Sequence, residues 1–187
     1  MSFYDKSIPY LQHMMGDKEY AADAAPALIS LLADATLVSV RLGKEAEAEK
    51  YSKSLSRLFS EASKQMPGNF QLLMSVNAKA ASANVELRFG EATRAVSELR
   101  SLSKALQASA GRDPGNQVFD QTLAAVLTAQ GWSELVSGQQ QEAVASLKQA
   151  REVASRLYMV RTTDITVVSA HFVFFDLWCG SGMGGWR

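Results

Sequence analysis

An all-α array of antiparallel helical hairpins is the fold class this sequence predicts, and three observations carry the prediction. The triplet Pro67-Gly68-Asn69 returns as Pro114-Gly115-Asn116, a spacing of 47 residues (114 − 67). A glycine stands 24 residues before each proline, Gly43 before Pro67 and Gly90 before Pro114. Between these markers apolar residues recur at steps of three and four, the period of one buried helical face. A repeat of this length marks a stacked array in which each unit buries its apolar face on its neighbours.

Residues 1–20 place Tyr4, Ile8, Leu11 and Met15 at helical spacing before Gly16-Asp17. Pro9 is tolerated only in a first turn, so the leading helix is expected to start close to Ser7. The first repeat, 24–66, opens with Leu28, Leu31, Ala35, Val38 and Leu42 and is stopped by Gly43, since glycine takes the left-handed cap conformation without steric cost. Its returning helix uses Ala48, Tyr51, Leu55, Leu58 and Ala62 until Pro67 forbids continuation.

The second repeat, 69–112, follows the same plan. Asn69 is expected to cap a helix beginning at Phe70 with the face Leu73, Val76, Ala80, Ala83 and Leu87. Gly90 turns the chain, and Ala95, Leu99, Leu102 and Leu106 line the return. In the third repeat, 116–160, Asn116 caps a helix with Phe119, Leu123, Val126, Leu127 and Leu135, Gly138 turns it, and Ala143, Leu147, Ala150 and Leu157 come back. Here the offset to the turn is 48 (138 − 90), which lays Glu86-Leu87 on Glu134-Leu135 and Ala95-Val96 on Ala143-Val144. Ala48, Ala95 and Ala143 each follow a turn glycine by five residues, where two helices approach closely enough to require a small side chain.

A further helix is expected over 164–179, capped by Thr162, Thr163 or Asp164 and carrying Val167, Val168, Phe172, Phe175 and Trp178. The glycine-rich stretch 180–187 is expected to be a tail. The whole, 1–187, is expected to form one domain.

Composition narrows the function classes. Nineteen basic and nineteen acidic residues balance, so nothing directs the chain as a whole to nucleic acid or to an anionic membrane. The single cysteine, Cys179, makes no intramolecular disulfide, and the start of the chain lacks a basic stretch leading into an apolar core. A cytoplasmic location is the corresponding expectation. The most apolar run, 165–179, is shorter than the roughly 20 residues needed to span a bilayer and contains His171 and Asp176, so no membrane insertion is expected.

The units resemble tetratricopeptide repeats, in a long variant of 47–48 residues. The best match is 113–150, DPGNQVFDQTLAAVLTAQGWSELVSGQQQEAVASLKQA, with Leu123, the helix glycine Gly131, the turn glycine Gly138, Ala143 and Leu147 at the motif positions. Thr36 and Ala83 stand where the helix glycine belongs, and Ser52 replaces the bulky residue, so the first two units depart from the pattern. The resemblance covers about residues 20–160. It implies a right-handed superhelical, TPR-like solenoid, of a kind found in bacterial proteins and behind the catalytic domain of bacterial serine/threonine kinases.

Nothing in the sequence forms a catalytic or metal constellation. His13 and His171 belong to no HExxH pattern, the lone cysteine offers no CxxC spacing, and kinase motifs are absent. No cofactor is expected. A remote enzymatic alternative would use His171, Asp176 and Cys179, but nothing supplies an oxyanion site. The resemblance instead implies a protein or peptide partner held along the first helices of the hairpins. That groove would carry Ser30, Ala33, Leu37 and Arg41, then Asn77, Ala80, Asn84 and Arg88, then Ala125, Thr128, Trp132 and Leu135. Of these, Arg41, Asn77, Asn84, Arg88 and Trp132 are the candidate contacts, since amides and guanidinium groups hold a peptide backbone or carboxylate and tryptophan anchors interfaces. Phe172, Phe175 and Trp178 are candidates for self-association as a homodimer. The expected function is a non-catalytic interaction scaffold or regulatory module. A sensory or regulatory part of a bacterial kinase or other multidomain signalling protein is the alternative.

Overall fold

Seven α-helices joined by short turns make up the computed structural model, which describes residues 3–17, 19–114 and 116–160, with side chains as far as Leu157. The expected helix 164–179, the tail, and with them Phe172, Phe175, Trp178, His171, Asp176 and Cys179 lie outside the described residues. The helices are α1 (Phe3–Met15), α2 (Ala21–Arg41), α3 (Glu45–Ala62), α4 (Gly68–Phe89), α5 (Ala92–Arg112), α6 (Gln117–Val136) and α7 (Gln140–Val160). A 3-10 turn, Ser63–Gln65, follows α3, and there is no strand among the described residues. The chain divides into two compact units, one up to Glu98 and one from Leu99.

In the first unit α1 packs on α2, α2 pairs with α3, and α4 packs against both members of that pair. Leu28, Ile29, Leu32 and Ala33 of α2 form one apolar cluster with Leu55 and Leu58 of α3 and Ala78 and Ala81 of α4. Ile8, Leu11 and Met15 pack against its edge from α1. α2 is long and apolar enough to cross a membrane by length and composition alone, yet nine of its residues are buried within the unit. Its apolar character follows from being the central helix, in contact with three others.

The first and third turns are built alike. Gly43 and Gly138 have φ of 69° and 78°. Beside them Lys44 N–H donates to Ser39 O (2.9 Å) and Gln139 N–H to Glu134 O (2.8 Å), satisfying carbonyls that each helix end would leave open. The second turn uses another device. Gly90 has φ −119°, and the Glu86 carboxylate accepts from the Glu91 N–H at 3.1 Å. The three expected small residues, Ala48, Ala95 and Ala143, are all fully buried.

Several local expectations are corrected. α1 begins at Phe3, not Ser7, and holds Pro9 in its interior; the helix has no buried residue. Proline there removes one hydrogen bond without opening a core. α4 starts at Gly68 with Pro67 as its cap residue, so Asn69 lies inside the helix and caps nothing. In α2 Leu28 and Ala35 are buried as expected, but Ile29, Leu32, Thr36 and Ser39 share their face while Leu31 and Val38 are only part-buried and Leu42 is exposed. Leu135, expected in the core, is exposed.

Candidate functional site: the outward face of helix α6

Asn116 caps α6 as expected, its side-chain oxygen accepting from Val118 N–H at 3.2 Å. Phe119, Leu123, Val126 and Leu127 are buried, and α7 returns antiparallel with Ala143, Ala150 and Val153 against them. The direction is fixed by two contacts: Asp120 near the start of α6 faces Arg156 near the end of α7 (3.6 Å), while Gly131 meets Ala143 and Leu147. A Cβ on Gly131 would lie 2.6 Å from Leu147 Cγ, so the helices touch where only glycine fits.

Under α6 lies a polar network that sequence periodicity did not reveal. Glu134 is 1% exposed. Its Oε1 accepts from Arg100 Nη2 (2.7 Å) and Gln130 Nε2 (3.0 Å), and its Oε2 accepts from the Ser146 hydroxyl (2.7 Å). Gln130 also donates to Ser146 Oγ (3.0 Å) and accepts from the Ser103 hydroxyl (2.8 Å). Burial acts to raise the Glu134 pKa, but the hydrogen bonds from Arg100, Ser146 and Gln130, with the charge of Arg100, outweigh it and hold the carboxyl below its ordinary value. Gln130 and Glu134 are four residues apart on the inward face, which is the signal the sequence did contain.

The opposite side of α6 is unusual for its lack of charge. Val118, Gln121, Ala125, Thr128, Trp132 and Leu135 follow one another at steps of three and four, and none is buried. Trp132 is 40% exposed, Leu135 37% and Val136 51%. The only ionisable residues in α6, Asp120 and Glu134, lie off this stripe. The exposed sides of α3 and α7 are different: Glu45, Glu47, Lys50, Lys53 and Arg57 on one, Glu142, Lys148, Arg151, Glu152 and Arg156 on the other. Such charged faces are made for water; the α6 face is not.

At the far end of the same unit a cleft of about 560 Å³ opens between the last turn of α5 (Gln107, Ala110, Gly111), the start of α6 (Gln117, Asp120) and the end of α7 (Glu152, Arg156, Leu157). Its polar groups are the amides of Gln107, Gln117 and Gln149, the Glu152 carboxylate and one loose Asp120–Arg156 pair. No nucleophile with a neighbouring base is among them. Among the described residues no three His, Cys, Asp or Glu side chains gather as a metal set.

The other expected contacts are placed as follows. Arg41 is exposed at the end of α2, with its pKa lowered by partial burial. Asn77 and Asn84 are half-buried on α4, and Asn84 donates to Ala80 O of its own helix at 2.7 Å. Arg88 is exposed with its guanidinium 5.6 Å from the Phe89 ring. Ala33, expected to line the groove, is buried in the core cluster instead, and Ala80, placed both on the buried face and on the groove by the sequence, is buried. Of the expected groove, the α6 part, Ala125, Thr128, Trp132 and Leu135, is the part that forms an open apolar stripe.

Compared with protein-family models, with curated proteins and with solved structures, the chain matches none.

Proposed function

We propose that this protein is a non-catalytic interaction module of TPR-like helical hairpins, in which the outward face of α6 receives an apolar segment of a protein partner. The observation that carries the reading is the uncharged stripe from Val118 to Leu135, where the exposed sides of α3 and α7 are charged. An amphipathic helix laid on such a stripe is anchored at i, i+3, i+4 and i+7 spacing, with Trp132 as the central aromatic contact. The superhelical array belongs to the same reading; it is supported by the way α4 packs on both α2 and α3, as one repeat follows another. The buried side of α6 is tied through Gln130 and Glu134 to Arg100, Ser103 and Ser146.

A photo-reactive phenylalanine placed at position 132 of the full chain tests this, with Lys148 on the charged face of α7 as the control position. Position 132 is expected to form adducts that map to one apolar segment, and position 148 none. No adduct at 132, or equal labelling at both, would overturn the proposal.

A further inference from the structure

The cleft at the end of the second unit shares no residue with the outward stripe of α6, and its whole lining belongs to that one unit. Three helices each bring one side to it: Gln107 and Ala110 from α5, Gln117 and Asp120 from α6, Gln149, Glu152 and Arg156 from α7. The steps of three and four between them are those of a single helical side. Its volume, about 560 Å³, falls within the roughly 300–1,000 Å³ of small-molecule sites. The buried Leu123 and Val153 and the part-buried Leu157 supply an apolar wall.

The polar groups of the cleft are only loosely engaged. Arg156 Nη2 stands 3.6 Å from Asp120 Oδ1, against 2.7 Å in the Arg100–Glu134 pair of the same unit. A charge-assisted hydrogen bond spans about 2.7–2.9 Å, so Asp120 and Arg156 attract each other without making one. Asp120 is the inner partner and part-buried, whereas Arg156 is the outer and exposed. Glu152 stands one turn before Arg156 on the same side of α7. Neither its carboxylate nor the amides of Gln107, Gln117 and Gln149 have a hydrogen-bond partner among the described residues.

A guest of one sign would pair with one member of the Asp120–Arg156 contact and leave the other alone. A cation on Asp120 displaces Arg156, and an anion on Arg156 draws it from Asp120 and meets Glu152 one turn away. A guest with both charges converts one long contact into two charge-assisted hydrogen bonds. The glutamines select further, because each amide offers a donor and an acceptor, the pair that a peptide group also presents. We propose that the cleft binds a short peptide with both ends free and with apolar side chains. Its ammonium rests on Asp120, its carboxylate on Arg156, its peptide group on the glutamine amides and its side chains on Leu123, Val153 and Leu157. The site is separate from the α6 face and does not depend on what that face receives.

Isothermal titration of the full chain with L-leucyl-L-leucine tests this, beside the N-acetyl form, the C-terminal amide and free leucine. The dipeptide is expected to bind about tenfold tighter than either blocked form, since each blocked end forfeits a hydrogen bond between charged groups. Free leucine, without a peptide group, should also bind more weakly. Arg156→Gln should weaken the dipeptide by a similar factor and leave the amide form unchanged. Asp120→Asn should weaken the dipeptide and leave the N-acetyl form unchanged. If Asp120→Asn, in the first turn of α6, disturbs folding, the exposed Arg156→Gln and the blocked ligands decide. No binding of the dipeptide up to about 10 mM, beyond the millimolar edge of specific affinity, overturns the proposal. Equal binding of a blocked form or of free leucine also overturns it, as does a variant that weakens every ligand alike. The adduct experiment at position 132 is read independently, so either result can fail without the other.

Discussion

Arg100→Met probes the buried network under α6. The substitution leaves Glu134, 1% exposed, with its contacts to Ser146 (2.7 Å) and Gln130 (3.0 Å) but without its cation. Removing one partner of a buried ion pair costs about 3–5 kcal/mol. The Arg100 side chain is itself 42% exposed, so water enters the vacated position. The expected loss is therefore lower, about 2–3 kcal/mol, with the methionine stem keeping most of the apolar contact. For a chain of this size that lowers the melting temperature by roughly 4–12 °C. Urea denaturation followed by helicity is the assay, with Glu134→Gln and the double variant completing the cycle. Because the folded-state pKa of Glu134 is depressed, the unfolded chain binds more protons between that value and the ordinary carboxylate value. The stabilisation is complete above the ordinary value and is lost as pH falls through the folded pKa. Glu134→Gln should lack this acid-side component. A loss under about 0.5 kcal/mol in Arg100→Met, the level of an ordinary surface change, would refute the argument, as would identical acid profiles for the wild type and Glu134→Gln.

Gly131→Ala should destabilise the chain by about 1–2 kcal/mol: overpacking against Leu147 costs about 1–3 kcal/mol, and the better helix propensity of alanine recovers up to about 1. Adding Leu147→Ala should recover part of that loss in the same urea titration. Glu98→Gln should stabilise at neutral pH by about 0.5–1 kcal/mol, since Glu98 Oε2 is buried without a partner and the residue as a whole is only half-buried. Burial and the charge of Glu86 raise the Glu98 pKa against the opposing Ser82 hydroxyl and Lys79. The native state therefore binds more protons just above the ordinary carboxylate value, and stability falls as pH rises from there through the raised pKa. The amide variant should flatten that slope.

The hairpin plan was legible because turns are specified locally. Gly43 and Gly138 take a conformation that other residues avoid, and the Pro-Gly-Asn triplets with Gly43 and Gly90 before them exposed the period, although Gly90 turns at φ −119°. The same triplet nevertheless gave two outcomes. Asn116 caps α6, but Asn69 falls inside α4, where Pro67, at φ −57° and ψ 145° after the 3-10 turn, already sets the start. The phase of α2 was not legible, since Leu28, Ile29, Leu31, Leu32, Leu37 and Val38 put apolar groups around most of the helix. Which of them faces inward depends on α1, α3 and α4 together, and no count of threes and fours contains that. The α6 stripe was reached through the repeat resemblance, which sets Ala125, Thr128, Trp132 and Leu135 on the groove side, whereas periodicity alone placed Leu135 in the core, where it is not.

What remains is why so apolar a side of α6 should face outward, and the repeats themselves suggest the cause. By the 48-residue offset Gln130, Glu134 and Ser146 answer to Ser82, Glu86 and Glu98, and by a further 47 to Ala35, Ser39 and Tyr51. The first repeat has no charge there. The second has two carboxylates, and they separate: Glu86 turns to the Glu91 N–H and to Arg94 (3.7 Å), leaving Glu98 with one weak contact, to Ser82 at 3.4 Å. In the third, Ser146 replaces the second carboxylate and Gln130 donates and accepts at once, so every group is satisfied. These hydrogen bonds tolerate one rotation of α6 about its axis, whereas apolar contacts would tolerate several. Turning α6 to bury Trp132 and Leu135 would drag Gln130 and Glu134 toward solvent and break the network, since the two sets lie on opposite sides of the helix. Arg100→Met thus has a second readout. In the Trp178→Phe/Trp186→Phe background, weakening the network should let α6 roll and shift Trp132 emission toward the blue. Unchanged emission in a variant that has lost the expected stability would show that packing alone sets the rotation, and that the network stabilises α6 without aiming it.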